Sequence, residues 1–356
     1  MKSRFNGVGR FARSAVAVAL ATSMAVSSFS NQLSPQAFVA STDYAQFGVS
    51  GLRGTGTGTI TVSGVTGTVT KAILVWHGLS TTVSALSRSA TIGGSTVVGT
   101  NIGISSDNCW SQAASQAFQA DVTAQVTGNG SYALTNMLTV GTFDPNGASL
   151  LVFFNDGNAA NNRDVAVFLG NDSNQVNTFD AAGWSASLGG INYTSGAANL
   201  GLIVSDGQNF SETGTNTLTI NGTAVSYPLF QGASLPLAPG SSVTSGGLWD
   251  HASAPISSIL TPGANTLNVS GNPEAGFDCL SLVGAIFNLP GGAVVTPPVI
   301  GVPPVVVIPP TVGVPALSAI GLGGMSLSMV LWGVYALRNR RRSESFDRED
   351  NATKGD

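Results

Sequence analysis

The sequence predicts an all-β body of sandwich or jelly-roll type, as one unit or as two similar lobes, followed by one C-terminal transmembrane helix. Three observations point there. Charged residues make up only 9% of the 356-residue chain, while 45 residues are glycine. Long surface helices need Glu, Lys and Arg, whereas short strands and tight turns use Gly, Ser, Thr and Asn. Runs rich in Val, Ile, Leu and Phe recur about every ten residues between Gly, Asn and Asp turns. The body holds no capped, sustained helical period, and residues 111–126 are the best helix candidate, at one or two turns.

The segments follow in order. Lys2, Arg4, Arg10 and Arg13 lead into an apolar run at 15–26, shorter than the roughly 20 residues a bilayer span takes. Small residues come next. A basic start, an apolar core and a small-residue end describe a secretory signal peptide over 1–30, cleaved at Ser28-Phe29-Ser30, with Ala40 as a later alternative. Export places Cys109 and Cys279, the only two cysteines, in an oxidising compartment, where one disulfide is expected.

The body divides into a first β lobe at 41–160 and a second at 161–290. Clear strand runs lie at 71–77, 149–154, 164–169, 200–204, 217–220 and 280–287. Several reappear in the same order. Ala72-Ile73-Leu74-Val75 corresponds to Leu200-Gly201-Leu202-Ile203-Val204. Ala90-Thr91-Ile92-Gly93-Gly94 corresponds to Leu218-Thr219-Ile220-Asn221-Gly222, and 149–154 to 280–287. The alternatives are a true duplication and the loose self-similarity of any Gly- and Thr-rich β chain. Between 41 and 290 the bases are Lys71, Arg53, Arg88 and Arg163, against thirteen acids. That sign excludes phosphate backbones, so nucleic acid is not a partner.

Residues 291–313 carry Pro297, Pro298, Pro303, Pro304, Pro309 and Pro310, an extended semi-rigid linker. The stretch 316–337 has no charge and is long enough to cross a bilayer. Arg338, Arg340, Arg341 and Arg342 form a membrane stop after it, which places 343–356 in the cytoplasm and the body outside. Val314-Pro315-Ala316-Leu317-Ser318, the apolar helix and the basic cluster, together 314–342, resemble the IPTL-CTERM sorting domain. The resemblance implies recognition by an exosortase-like processing protease, loss of the tail, and delivery to the cell surface or extracellular matrix. Val314 and Ala316 replace the usual Ile and Thr, and the chain runs on for 14 residues past the arginines, 343–356. A simple uncleaved anchor is the alternative. The body resembles bacterial adhesin-like surface β domains at Trp76-His77-Gly78, Ala120-Asp121-Val122-Thr123, the strand 147–152 and Asp278-Cys279-Leu280. That likeness implies a surface interaction role and names no ligand.

Chemistry-bearing residues are few. There are two histidines, and no zinc, P-loop or nucleophile-elbow motif occurs. His77 ends a strand and could join a Ser and an Asp; His251 reads as a turn residue bonded to backbone. Asp156, Asp164, Asp172 and Asp206 could in principle pair across a sugar bond, but each sits beside or near Gly or Asn, where Asp commonly closes a turn. A calcium ion is the one cofactor the residues admit, on Asp156, Asn158, Asp164 and Asp172. Trp76, Trp110, Trp184 and Trp249 could make a sugar-stacking platform or could be core. The expected function is non-catalytic adhesion or structural interaction at the cell surface, through a surface or glycan ligand. The alternative is a secreted carbohydrate-binding module or carbohydrate-active enzyme.

Overall fold

The computed structural model describes residues 33–179, 183–210, 216–274 and 277–293. The signal peptide at 1–30, the sorting motif, the arginine stop and the linker beyond 293 lie outside the described residues. Among the described residues no helix is long and apolar enough to cross a membrane.

Sixteen strands make the body: β1 (Ser34–Ser50), β2 (Gly58–Val62), β3 (Thr68–Ser80), β4 (Arg88–Ile92), β5 (Ser95–Ser105), β6 (Ala114–Asp121), β7 (Gly130–Thr135), β8 (Phe143–Asn155), β9 (Arg163–Ser173), β10 (Trp184–Tyr193), β11 (Asn199–Ser205), β12 (Asn216–Ile220), β13 (Thr223–Tyr227), β14 (Trp249–Pro255), β15 (Gly263–Gly271) and β16 (Ser281–Pro290). Every ladder between them is antiparallel. Twelve strands form one curled sheet in the order β14-β11-β16-β9-β1-β8-β3-β6-β5-β4-β7-β2. The other four form a sheet in the order β10-β15-β12-β13.

These orders contain one pattern twice. The first eight strands pair as β1-β8-β3-β6 and β2-β7-β4-β5; the second eight pair as β9-β16-β11-β14 and β10-β15-β12-β13. Each number in the second set is eight above its counterpart. The sequence correspondences fall on strands related in this way. The β4–β5 and β12–β13 hairpins even share their turn. Gly93 and Gly94 have φ of 55° and 85°, and Asn221 and Gly222 have 50° and 79°. Two positive φ values in a two-residue loop match the twist of the flanking strands, and Gly or Asn accepts them at least cost.

Alternation along the strands builds three cores. On β3, Ala72, Leu74 and Trp76 face inward within the first half, packing with Phe118, Leu150 and Val152. Ile73 and Val75 face the other way and meet Leu151, Phe153, Val167, Ile203 and Trp249 in a seam between the halves. Leu200, Leu202, Trp184 and Phe287 belong to the core of the second half. Strands buried on both faces read as unbroken apolar runs, which is why 71–77 and 149–154 stand out in the sequence.

One expectation is overturned. Residues 111–126 hold no helix; β6 occupies 114–121, between β3 and β5. Phe118 packs into the first core and Ala117 into the seam, so two-sided burial and two ladders override weak local preference. β1 is long because it serves both halves: Ser34 to Thr42 pair with β9, and Asp43 to Ser50 pair with β8. The change of partner occurs at Ser41, at φ 50°, whose amide donates to Asp164 Oδ1 at 2.9 Å.

Candidate functional site

At one end of the seam a polar cluster links the halves. Arg53 follows β1 and is only 8% exposed. Its Nη2 donates to Asp206 Oδ1 at 2.9 Å and to Asn146 Oδ1 at 2.5 Å. Asn146 Nδ2 in turn donates to Ser205 Oγ at 2.9 Å and to Asp206 Oδ1 at 3.1 Å. Ser205 Oγ also shares a hydrogen bond of 2.6 Å with His77 Nδ1. On its other side the ring meets the Asn171 side chain, which favours the charged form. Burial, and then the Arg53 charge, hold the His77 pKa down to about 3, so the ring is neutral.

Trp110 closes the cluster from outside. Its Nε1 donates to Asp206 Oδ2 at 2.6 Å, and the Arg53 guanidinium carbon lies 3.9 Å from its ring centroid. Burial pushes Asp206 up to about 6 despite Arg53, Trp110 and Asn146, which all favour its charged form. Asp278 is also buried; burial and the nearby Asp206 charge raise it to about 8 against the pull of the Gln208 amide. Its two oxygens accept from the backbone amides of Gln208 and Cys279, both at 2.8 Å. The disulfide expected from the sequence joins Cys109, beside Trp110, to Cys279, beside Asp278, across 170 residues of chain.

A pocket of ≈ 260 Å³ opens here, lined by Arg53, Trp110, Gln208, Leu248 and the segment 242–246. Its surroundings are conformationally strained. Nine described residues other than glycine have positive φ, and five of them are Asn108, Cys109, Ser111, Asp206 and Leu248. Positive φ is uncommon away from glycine and is an outlier for a bulky residue such as leucine; it clusters where surrounding contacts over-determine the backbone. Here the disulfide, the ion pair and Asp206 N–Leu248 O at 2.9 Å supply those contacts.

The remaining candidates are distributed elsewhere. His251 lies within β14, not in a turn, and bonds a side chain rather than backbone. Trp249 Nε1 donates to Ser149 Oγ at 2.9 Å, and Ser149 Oγ shares a hydrogen bond of 2.6 Å with His251 Nε2. Burial holds this histidine near a pKa of about 3 as well. Ser149 and Ser205 are both fully buried, and neither histidine hydrogen-bonds a carboxylate among the described residues.

The four aspartates do not converge. Asp156 caps its turn, accepting from the Asn158 amide at 2.7 Å and Asn161 Nδ2 at 3.0 Å. Asp164 receives Ser41, and Asp172 Oδ2 accepts from the Ser185 amide at 2.8 Å. Asp164 and Asp172 stand near opposite ends of β9, about 26 Å apart at the usual rise per residue. Asn158 Oδ1 accepts from the Ala160 amide at 3.2 Å. Of the calcium set Asp156, Asn158, Asp164 and Asp172, the first two bond within their own turn before β9, and Asp172 stands at the far end of the strand from Asp164. Among the described residues no group of three His, Cys, Asp or Glu could hold a metal ion.

The tryptophans separate too. Trp76, Trp184 and Trp249 are buried, while Trp110 is 36% exposed. The Arg53–Asp206 pair was missed in the sequence because its partners lie 153 residues apart. Only the shortage of bases in the body singles Arg53 out. No protein-family model matches the chain, and no curated protein matches it.

Proposed function

We propose that the chain is an exported protein of the cell surface or extracellular matrix that acts by binding rather than catalysis. We further infer that its body is a tandem of two jelly rolls arisen by duplication. The order 1-8-3-6 over 2-7-4-5, occurring twice, is what two eight-stranded rolls would produce.

The chemistry of the seam carries the non-catalytic reading. Both histidines are neutral and occupied by buried serines. The buried carboxyls of Asp206, Asp250 and Asp278 are held by backbone amides, Arg53, Trp110 and Ser234. A general base or nucleophile must reach the reacting atom, and these groups face one another instead. The pairing of Ser34 to Thr42 with β9 supports signal cleavage at 28–30, because cleavage after Ala40 would strip most of that ladder.

For the tail, the reading is an IPTL-CTERM signal at Val314 to Ser318, removed by an exosortase-like protease after a single-pass membrane stage. Intact mass of surface-released protein should show a start near residue 31 and loss of the C-terminal span. A full tail retained in the membrane fraction would leave plain anchoring. The purified body should adhere to cells or matrix and leave glycans intact; turnover of a glycan would overturn the non-catalytic reading.

A further inference from the structure

We infer that the pocket between Trp110 and the segment 242–246 is a binding site for one pyranose residue of a neutral saccharide. The inference rests on the reading of the body as a binding module and names the ligand class of its site.

Four observations converge on it. Trp110 is the only exposed tryptophan among the described residues, and its ring is fixed in place by Asp206 at the indole edge and by Arg53 at a face. A pre-oriented flat apolar ring is what the C–H face of a sugar stacks on, and fixing it beforehand removes an entropic cost of binding. Secondly, Arg53 Nη1 is buried and has no hydrogen-bond partner, although the residue lines the pocket. A buried donor left unmade costs free energy, and ligand binding that shifts the guanidinium enough to open Nη1 to a sugar oxygen would recover it.

Thirdly, the exposed residues Ser242, Thr244 and Ser245 also line the pocket, Ser242 Oγ donating to Arg53 O at 3.4 Å. Small neutral donor–acceptors in the same pocket as an indole suit a ring bearing hydroxyls on its rim. The pocket's ≈ 260 Å³ has room for about one such ring. Fourthly, the large aromatic side chains exposed among the described residues are Trp110, Phe210 and Phe277, at 36%, 40% and 71%. All three sit on segments tied together at this corner, by the disulfide and by the Gln208 amide on Asp278. Neighbouring rings of a saccharide running past the pocket would have these exposed rings to stack on.

Local charge selects against acidic sugars. The one cation, Arg53, already faces Asp206, and Asp107 lies three residues before Trp110. With Arg53 already paired, no spare positive charge lines the pocket for an added carboxylate.

The test uses the mature, disulfide-intact chain titrated with soluble neutral oligosaccharides of glucose, galactose, mannose and N-acetylglucosamine. Tryptophan emission is followed, with calorimetry in parallel. At least one series should give a saturable blue shift. Trp110→Ala should weaken binding about tenfold or more, Trp110→Phe should retain most of it, and Thr244→Val, on an exposed wall, should weaken it a few fold. No saturable response to any series, or an undiminished one in Trp110→Ala, overturns the site. Capture of a protein ligand through Trp110, with no saccharide response, overturns the ligand class. Adhesion of the body to cells or matrix that survives Trp110→Ala leaves the surface role standing while this site falls. Cleavage of a bound oligosaccharide overturns the non-catalytic reading instead.

Discussion

The two halves share a strand order and differ where they meet. His77 on β3 and Ser205 on β11 occupy equivalent places: each is opposite a β8/β16 residue (Gly147, Ser281) and a β6/β14 residue (Ala117, Trp249). They bond to each other across the seam. Beyond this point the halves diverge. β3 runs on to Ser80, still paired on both sides, whereas β11 ends at Ser205 and the chain turns away at Asp206, φ 73°. The pocket lies where the second half stops matching the first. The strand order repeats, and the pocket opens where that repeat breaks off. The first half brings Arg53 and Trp110 to that break; the second brings Asp206, Gln208 and the segment 242–248.

The disulfide should be the largest single term tying the halves together. Cross-linking a loop of 170 residues limits the unfolded chain by about 5 kcal/mol on the chain-entropy scale. Cys109→Ser combined with Cys279→Ser should lower the unfolding free energy by that order in denaturant titration. A loss below about 1 kcal/mol would mean that the two halves stay associated in the denatured state.

Next in size is the buried pair. Arg53→Met leaves Asp206 without its cation in a fully buried position, a change that commonly costs about 3–5 kcal/mol. Arg53→Met with Asp206→Asn should recover part of the loss, because no buried charge remains. A single variant as stable as the parent would show that water reaches the cluster and that the seam is open at this end.

The pH dependence separates the seam histidines from Asp278. Histidines held near about 3 destabilise the fold as pH falls below their unfolded value, near 6.5. Carboxyls raised to about 6 and about 8 act oppositely: their stability is full below about 4 and is lost as pH rises through the folded pKa. Two groups of each sign nearly cancel between pH 4 and 6. From about pH 6.5 to 8 Asp278 acts alone, and stability should fall by roughly 2 kcal/mol, 1.36 kcal/mol per unit. Asp278→Asn should flatten that limb in urea titrations at pH 6.5, 7.3 and 8. An unchanged slope would place the titration elsewhere.

The sequence announces what depends on local pattern. Strands buried on both faces show as apolar runs, and paired glycines or Asn-Gly mark the hairpins. The disulfide is legible because only two cysteines exist. What depends on distant partners does not show. β6 resembles a short helix until β3 and β5 flank it, and His251 looks like a turn residue until Ser149 lies opposite. Three of the four body tryptophans look as available as Trp110 because exposure is a property of packing alone. The pocket is assembled from segments near residues 53, 110, 208 and 244, so no local window contains it.

The smallest expected effect tests the repeat itself. If the β4–β5 and β12–β13 hairpins are one structure used twice, their turns should be interchangeable. Gly93 has φ 55° and Asn221 has φ 50°, and the nearest atom to a Cβ on Gly93 would be Tyr132 Cδ1 at 3.8 Å, an ordinary contact. Gly93→Asn copies the second turn into the first. Asn tolerates the left-handed region and narrows the unfolded chain's freedom, so stability should be unchanged or rise by a few tenths of a kcal/mol. Gly93→Val should cost about 1–2 kcal/mol, because a β-branched residue is strained at that φ. The gap between these two variants, read as a shift in denaturation midpoint at constant slope, measures how closely the two turns match. Equal losses for Asn and Val would show that the first hairpin uses its glycine for something the second lacks, and that the likeness stops at strand order.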